Sequence, residues 1–360
     1  MIKKHQWIFL GITILAVALF YVEDFYRAPE KTAYYNEKLE SSKLAAKAMA
    51  VIKEEAIRRH TAVDSINDPN GSYLVGTKYS LITAGSIPLT DILVSLNPNF
   101  SAAVVELLTE LNIKHGDLIA INTTGTFPGL NIAVLSACKV LGLEPVIITA
   151  ASSASYGANN PDFTWLDMEA YLKESDIFPF SSYAASIGGE KDNGEGISPE
   201  GRILLFRTIE RNHVRLISSA SLAENIAQRF SLFNVFAEKH AKRLKAYIDI
   251  GGTVTGFGQI IQDTLVKPGI NRYPDQQFFS NYGLIQRMVE KQIPILYLGD
   301  IKSLARARGL TTTTVPHPQP GQDELFFKER YSIKLAAFFL LCIVVMLFLY
   351  IRIEMYLKKK

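Results

Sequence analysis

Apolar runs in this chain come in three lengths, and each length predicts a different element. Residues 7–22 and 335–351 hold sixteen and seventeen consecutive uncharged, mostly apolar positions. Those lengths lie near the lower limit of a membrane-spanning helix, about 17–25 residues. Intermediate stretches with apolar residues at helical spacing predict helices over 30–59, 102–111, 161–175 and 221–245. The first carries Leu39, Leu44, Ala48, Val51, Ile52 and Ala56, and is expected to pack on the domain or form a dimer stalk, packing being the more ordinary outcome. Short apolar runs at 118–121, 145–149, 246–250 and 294–298 predict buried strands. Residues 73–76 and 80–83 read as short strands or strand edges, and 201–209 reads as either helix or strand.

The order of these runs gives the architecture. Residues 118–121 lead into a loop rich in hydroxyls and glycine (122–131), then an apolar helix over 132–141 closed by Gly142. A second strand (145–149) runs into another polar loop, 152–160. Strand, helix, strand is a βαβ unit, and both polar loops follow carboxyl ends of strands, the edge where open α/β sheets bind ligands. Residues 246–258 repeat the strand-then-Thr/Gly-loop arrangement. The expected fold class is α/β: an open, mostly parallel sheet with flanking helices, between one N-terminal and one C-terminal transmembrane helix.

The ends set the expected topology. Trp7, Tyr21, Tyr331 and Tyr350 border the apolar stretches as interfacial aromatics do. The bulky, acidic Tyr21-Val22-Glu23-Asp24-Phe25 offers no small-residue cleavage site, which favours an uncleaved anchor over a signal peptide. Lys3 and Lys4 precede the first stretch, and Arg352 with Lys358-Lys359-Lys360 follows the second, so both termini are expected to be cytoplasmic. The division that follows is a cytoplasmic N-terminus (1–6), a transmembrane helix (7–22), a membrane-proximal amphipathic helix (23–60) and an extracytoplasmic domain (61–310). A Thr/Pro-rich tether (311–331), a second transmembrane helix (332–352) and a basic tail (353–360) complete it.

Charge follows the same division. The chain carries +3 overall, but seven Lys/Arg and one acid lie outside 23–330, leaving 31 basic against 34 acidic residues between the anchors, a net of −3. That balance gives no support to nucleic-acid binding. Cys138 and Cys342 fall in separate apolar segments and are expected to be free. Neither cysteine has a His or Cys nearby at metal spacing, and the cofactor and homo-oligomerisation are open.

Candidate chemistry concentrates on the two loops. Thr123, Thr124, Gly125, Thr126 and Asn131 surround an expected helix start, where backbone N–H groups attract anions. The loop has neither the Gly-Lys-Ser/Thr of a phosphate loop nor GxGxxG. Ser152, Ser153, Ser155 and Asn159 occupy the parallel loop; His213 is the base a serine nucleophile would need, yet no Gly-x-Ser-x-Gly elbow is present. Asp167, Glu169, Glu190 and Asp192 could supply a general acid and base or hold a divalent cation, the latter two in a glycine-rich stretch (188–196) that reads as an exposed or ligand-closing loop. Arg202, Arg207, Arg211 and Arg215 recur at near-helical spacing. Asp249-Ile250-Gly251-Gly252-Thr253 looks like the first phosphate loop of actin-like sugar kinases, but over five residues and late in a domain placed across the membrane, so it is set aside.

Several motifs together resemble the poly-γ-glutamate system protein family: Asn97-Pro98-Asn99-Phe100, Gly116-Asp117, Gly125-Thr126-Phe127-Pro128-Gly129-Leu130-Asn131, residues 152–159, Thr164-Trp165-Leu166-Asp167-Met168-Glu169, and Gly188-Gly189 with Asp192. In the family the first loop reads Ser-Gly-Ser-Phe-Pro-Ala-Leu-Asn and the serine loop has Trp where Tyr156 stands; Thr124 and Thr126 keep the hydroxyls, while Gly129 and Tyr156 depart. The resemblance implies a place in making or exporting an anionic γ-linked glutamate polymer, with the polymer or its synthase as partner. It assigns no reaction. The expected ligand residues are Thr123, Thr124, Gly125, Thr126, Asn131, Ser152, Ser153, Asn159 and Trp165. Ser153, Asp167, Glu169 and Asp192 are the catalytic candidates should the protein instead cut or modify the chain.

Overall fold

Strict two-residue alternation in four strands organises the fold, seen here in a computed structural model that describes residues 4–258, 266–272 and 282–358. From the amino end come α1 (Lys4–Phe25), β1 (Ala28–Lys31), α2 (Tyr35–Arg58), α3 (Leu89–Ser95), α4 (Phe100–Glu110), β2 (Leu118–Thr124), α5 (Pro128–Leu141) and β3 (Glu144–Ala150). A small hairpin, β4 (Asn159–Asn160) and β5 (Phe163–Thr164), precedes α6 (Trp165–Glu174), β6 (Ala184–Ser186), α7 (Pro199–Arg211), β7 (Arg215–Leu216), α8 (Leu222–Lys239) and β8 (Leu244–Ile250). Then follow α9 (Val254–Phe257), β9 (Gly269–Asn271), α10 (Leu284–Glu290), β10 (Ile295–Leu298), α11 (Ile301–Ala307), β11 (Phe327–Arg330) and α12 (Ile333–Lys358).

The chain divides into two units. The larger, Tyr34–Phe326, is built on a seven-stranded sheet of order β7-β6-β3-β2-β8-β10-β9, parallel except for β9. Ile119 and Ile121, Ile147, Ile248 and Ile250, and Leu296 and Leu298 face one side, against α2, α4, α5 and α6. Leu118 and Ala120, Val146 and Ile148, Tyr247, and Ile295 and Tyr297 face the other, against α8 and α10. Side chains in a strand alternate between faces, so apolar residues at every position mean both faces are covered. At about 1.5–3 kcal/mol per buried large aliphatic side chain, this three-layer packing supplies the main favourable term of the fold.

The smaller unit comprises residues 1–33 and 327–360. Its α1 and α12 each hold an apolar stretch long enough to cross a membrane, Trp7–Phe25 and Ile333–Tyr356, and their side chains are not buried within the protein. By length and composition both helices could span a membrane. β1 and β11 pair antiparallel, Ala28 opposite Arg330, with an Arg330–Glu30 ion pair at 2.9 Å.

Several elements differ from the sequence reading. β2 runs three residues into the expected loop, and α5 starts at Pro128 rather than 132, because proline is pre-set for a helix's first turn. α6 starts at Trp165, after a capping box in which Thr164 and Asp167 satisfy each other's backbone N–H groups. Residues 201–209 are helical, and α8 ends at Lys239, six residues early. Residues 73–76 and 80–83 form no strand; Thr83 makes a single bridge to Ser153. Residues 23–60 are not one helix: they contain the end of α1, β1 and α2. Ala45, Ala48, Ile52 and Ala56 of α2 lie in the main core, so α2 packs on the domain instead of standing as a stalk. The expected tether is likewise structured. Asp323 accepts bonds from Thr311 N (2.8 Å), Asn97 Nδ2 (2.9 Å) and Asn99 Nδ2 (2.8 Å), and Leu325 and Phe326 enter the core.

Candidate functional site

From β2 the chain steps through β3 and β6 to the β7 edge, then returns to β8 on the other side of β2. The order reverses between β2 and β8, and a cleft opens beyond the carboxyl ends of strands at such a switch point. A crevice of about 440 Å³ occupies this edge, lined by the loops after β2, β3, β6 and β8 together with residues 84–87. The loops after β2 and β8 touch: the Phe127 ring lies against Gly251, at a distance where a Cβ would sit 2.5 Å from the ring. Gly251 also has φ +82°, so glycine is required there twice over.

Polar side chains divide by strand parity. Asn122 shares its face with Leu118 and Ala120, and Asp249 shares its face with Tyr247, so both lie under the crevice on the α8 side. Arg229 reaches Asn122 from α8. Its guanidinium donates to Asn122 Oδ1 (2.8 Å), Ser186 Oγ (2.6 Å) and both oxygens of Asp192 (3.0 and 3.1 Å). Arg229 and Asp192 are 0% and 1% exposed, a fully buried ion pair that fastens the 188–196 loop to the sheet. Asp249 Oδ2 accepts from Tyr247 Oη (2.9 Å), Asn122 Nδ2 (3.1 Å) and Thr253 Oγ1 (2.8 Å), while Oδ1 accepts from Thr253 N (2.9 Å). Burial raises the Asp249 pKa although all these bonds oppose it; burial, with the adjacent Asp249 charge, pushes Tyr247 well above its ordinary range.

The expected ligand residues separate into three groups. Thr124, Thr126, Ser152 and Ser153 line the crevice. Ser152 is 5% exposed, and a Cβ on Gly188 would meet its hydroxyl at 2.0 Å. Thr124 Oγ1 accepts from Thr126 N (3.0 Å), and Thr126 Oγ1 accepts from Ala154 N (3.1 Å). Ser153 Oγ donates to Tyr156 O (2.7 Å), and Gly125 N donates to Ser152 O (3.1 Å). Asn159 belongs to a second group, its Oδ1 accepting from Thr77 N (3.0 Å) as a staple to the 75–85 segment. Ser155 does the same through Ile87 N (2.8 Å).

Thr123, Asn131 and Trp165 form the third group. The Thr123 hydroxyl bonds to Asn131 Oδ1, and all three surround a cavity of about 10 Å³ on the α5–α6 side of the sheet, away from the crevice. The start of α5 is also covered: Pro128 has no N–H, and a Cβ on Gly129 would meet Ser95 O at 2.5 Å. The expected anion site at this helix start therefore does not open onto the crevice.

Of the candidate acids, Asp192 lines the crevice but is held by Arg229. Asp167 lies elsewhere, accepting from Arg211 Nε (2.8 Å), Asn212 Nδ2 (2.8 Å) and Thr164; burial alone would raise its pKa, but these bonds outweigh it and hold the carboxyl below its ordinary value. Glu169 borders the small cavity, 3% exposed, with Oε2 accepting from Ser182 N (2.6 Å) and Oε1 unpartnered. Burial pushes it up to about 7, opposed by Ser182 and Lys173. Glu190 sits exposed on the rim. His213 is exposed in the turn after α7 and is not part of the crevice lining. Arg211 is taken up by Asp167, so the arginine stripe does not assemble a site. Cys138 is buried, with its thiol pKa raised by burial, and both cysteines are free. Among the described residues no three of His, Cys, Asp or Glu converge to hold a metal ion.

A second depression of about 240 Å³ lies beside residues 61–80 and 157–168. Its carboxylates are occupied locally: Asp64 accepts from Ile66 N and Asn67, and Asp68 from Ser72 and Tyr73 N.

Sequence reasoning missed Arg229, Asn122 and Asp249 as one cluster. The signal was present: Arg229 falls at helical spacing between Ile226 and Phe233, a charge on an apolar stripe. Comparison with family models, curated proteins and solved structures finds no match.

Proposed function

We propose that this is a membrane-anchored accessory protein of poly-γ-glutamate synthesis or export, whose α/β domain binds the polymer in the switch-point crevice outside the cytoplasm. One observation carries the reading. The crevice presents hydroxyls and glycine backbone (Thr124, Thr126, Ser152, Gly188, Gly189, Gly251, Gly252) over a rigid, fully bonded polar base. That is a surface for hydrogen-bonding an amide chain. The motif resemblance supplies the polymer, and the basic chain ends support cytoplasmic termini.

A hydrolase or transferase would need a nucleophile and a free acid or base in the same crevice. Asp167 and Glu169 lie elsewhere, Asp192 is locked in an ion pair, and Glu190, exposed on the rim, bonds to no hydroxyl of the lining among the described residues. The nearest pairing is Thr253 with Asp249, but Thr253 Oγ1 already accepts from Gly256 N (2.8 Å) and Asn122 Nδ2 (2.6 Å). Binding without cleavage is the better-supported reading.

The test uses the full-length protein in nanodiscs with γ-linked glutamate oligomers, following binding by calorimetry and chain length by chromatography. Binding without shortening, weakened about tenfold in Ser152→Ala with Thr124→Val through loss of about 1.4 kcal/mol, is the expected result. Shortening of the oligomer would replace this reading with the enzymatic one, and absence of binding would remove the polymer assignment.

A further inference from the structure

The crevice leaves the charge of a polyanionic ligand unanswered. Among the described residues its lining contains no Lys, Arg or His. Carboxylates along a bound chain must be met elsewhere on the domain. Within Tyr34–Phe326 the densest run of cations is the turn from α8 into β8, where Lys239, Lys242, Arg243 and Lys245 give four in seven positions. A cation at a helix C-terminus complements the helix dipole, which accounts for Lys239 but not for Arg243 and Lys245, which lie beyond the helix.

Strand pairing brings further cations to this edge. Leu118 of β2 lies opposite Leu244, and Ile295 of β10 lies opposite Tyr247, so the turns entering β2 and β10 put Lys114 and Lys291 on the same edge of the sheet. Lys242 ties the edge together, donating to Gly116 O (2.8 Å) and pairing with Glu144 (2.7 Å). Lys114, Lys239, Arg243, Lys245 and Lys291 are exposed and have no ion pair among the described residues. Three of the four acids here are engaged: Glu144 by Lys242, Asp117 by Lys114 N (2.8 Å) and Glu290 by the Tyr282 hydroxyl, which leaves Glu238. No large apolar side chain of 238–245 is exposed, so this surface has nothing to insert into a lipid layer.

We infer that the amino edge of β2, β8 and β10 is a second anchoring surface for the polymer, where separate lysines and an arginine take carboxylates along the chain while the crevice at the opposite edge holds its amides. The inference rests on the polymer-binding reading and deepens it. β2 and β8 are each seven residues long, about 23 Å at about 3.3 Å per residue, so only a long chain occupies both edges. Two modest sites joined by one chain bind with a combined strength that neither has alone.

Full-length protein in zwitterionic nanodiscs is titrated with long poly-γ-glutamate and with a γ-linked glutamate dimer, too short to reach both edges. The triple variant Lys239→Gln, Arg243→Gln, Lys245→Gln removes exposed charges without touching the core. It is expected to weaken the long chain about tenfold at low salt, the sum of three exposed ion pairs, and to leave the dimer within about twofold. High salt should weaken the long chain more in the wild type than in the triple variant. Equal binding of the long chain by wild type and triple variant overturns the second surface while the crevice reading stands, and capture by phosphatidylserine vesicles lost in that variant would then assign the edge to lipid. Equal weakening of both ligands overturns the two-edge arrangement. Absence of binding of either ligand to the wild type overturns this inference together with the polymer reading.

Discussion

The loops after β2 and β8 start from similar sequence and end in different work. Asn122-Thr123-Thr124-Gly125-Thr126 and Asp249-Ile250-Gly251-Gly252-Thr253 both place a polar residue at the end of an apolar strand and follow it with glycine and threonine. After β2, three polar residues in a row must alternate, so Asn122 goes under the crevice, Thr123 goes to the opposite face, and Thr124 stays at the edge. After β8, Ile250 takes the position facing α5, and Asp249 gathers Tyr247, Asn122 and Thr253 into one bonded cluster. Both loops line the crevice, but the one after β2 brings Thr124 and Thr126 to it, whereas the one after β8 brings glycine backbone and threonines already bonded into the base. Matching composition does not mean matching role when the parity of the polar residues differs.

The largest test of that contrast removes the clamp between base and rim. Arg229→Met leaves Asp192 charged and unpaired in the interior, and should cost about 3–5 kcal/mol. Thermal unfolding of the full-length protein in detergent checks this, and the double variant Arg229→Met with Asp192→Leu should recover much of the loss. A loss below about 1 kcal/mol would show that the cluster is not what fixes the rim.

Glu169 tests the opposite face, where burial raises its pKa to about 7. Below the unfolded value of 4.5 both states are protonated and the group's stabilising effect is fully present. As pH rises from there, the unfolded chain ionises while the folded carboxyl stays neutral, so stability falls until the folded group ionises near 7. Glu169→Gln should abolish this loss, which amounts to about 3 kcal/mol between pH 4 and pH 8. Parallel pH-dependent melts that do not diverge would contradict the buried, unpaired geometry of Glu169.

The finest test compares one glycine from each loop. Gly251→Ala meets the Phe127 ring at positive φ and should cost about 1–3 kcal/mol. Gly125→Ala has an ordinary φ and neighbours at 3.2–3.5 Å, and should cost about 1 kcal/mol or less. Equal losses would mean that the two loops are equally constrained and that the contrast between them fails.

What the sequence determined by itself was local. Helix periodicity and the length of uncharged runs depend only on neighbouring residues, so the two membrane helices, the four apolar strands and the βαβ unit were legible. Polar residues after strand ends located the crevice edge for the same reason. Strands β6, β7 and β9, each two or three residues long, carry no period and exist through partners brought from far along the chain. The packed course of residues 311–326 depends on Asn97 and Asn99, more than 200 residues away. Tertiary structure alone decided which acids are locked and which hydroxyls face the crevice. Burial and pairing of Arg229, Asp192, Glu169 and Ser152 are set by the faces of other elements, and strand parity converts a one-residue difference in position into opposite sides of the sheet.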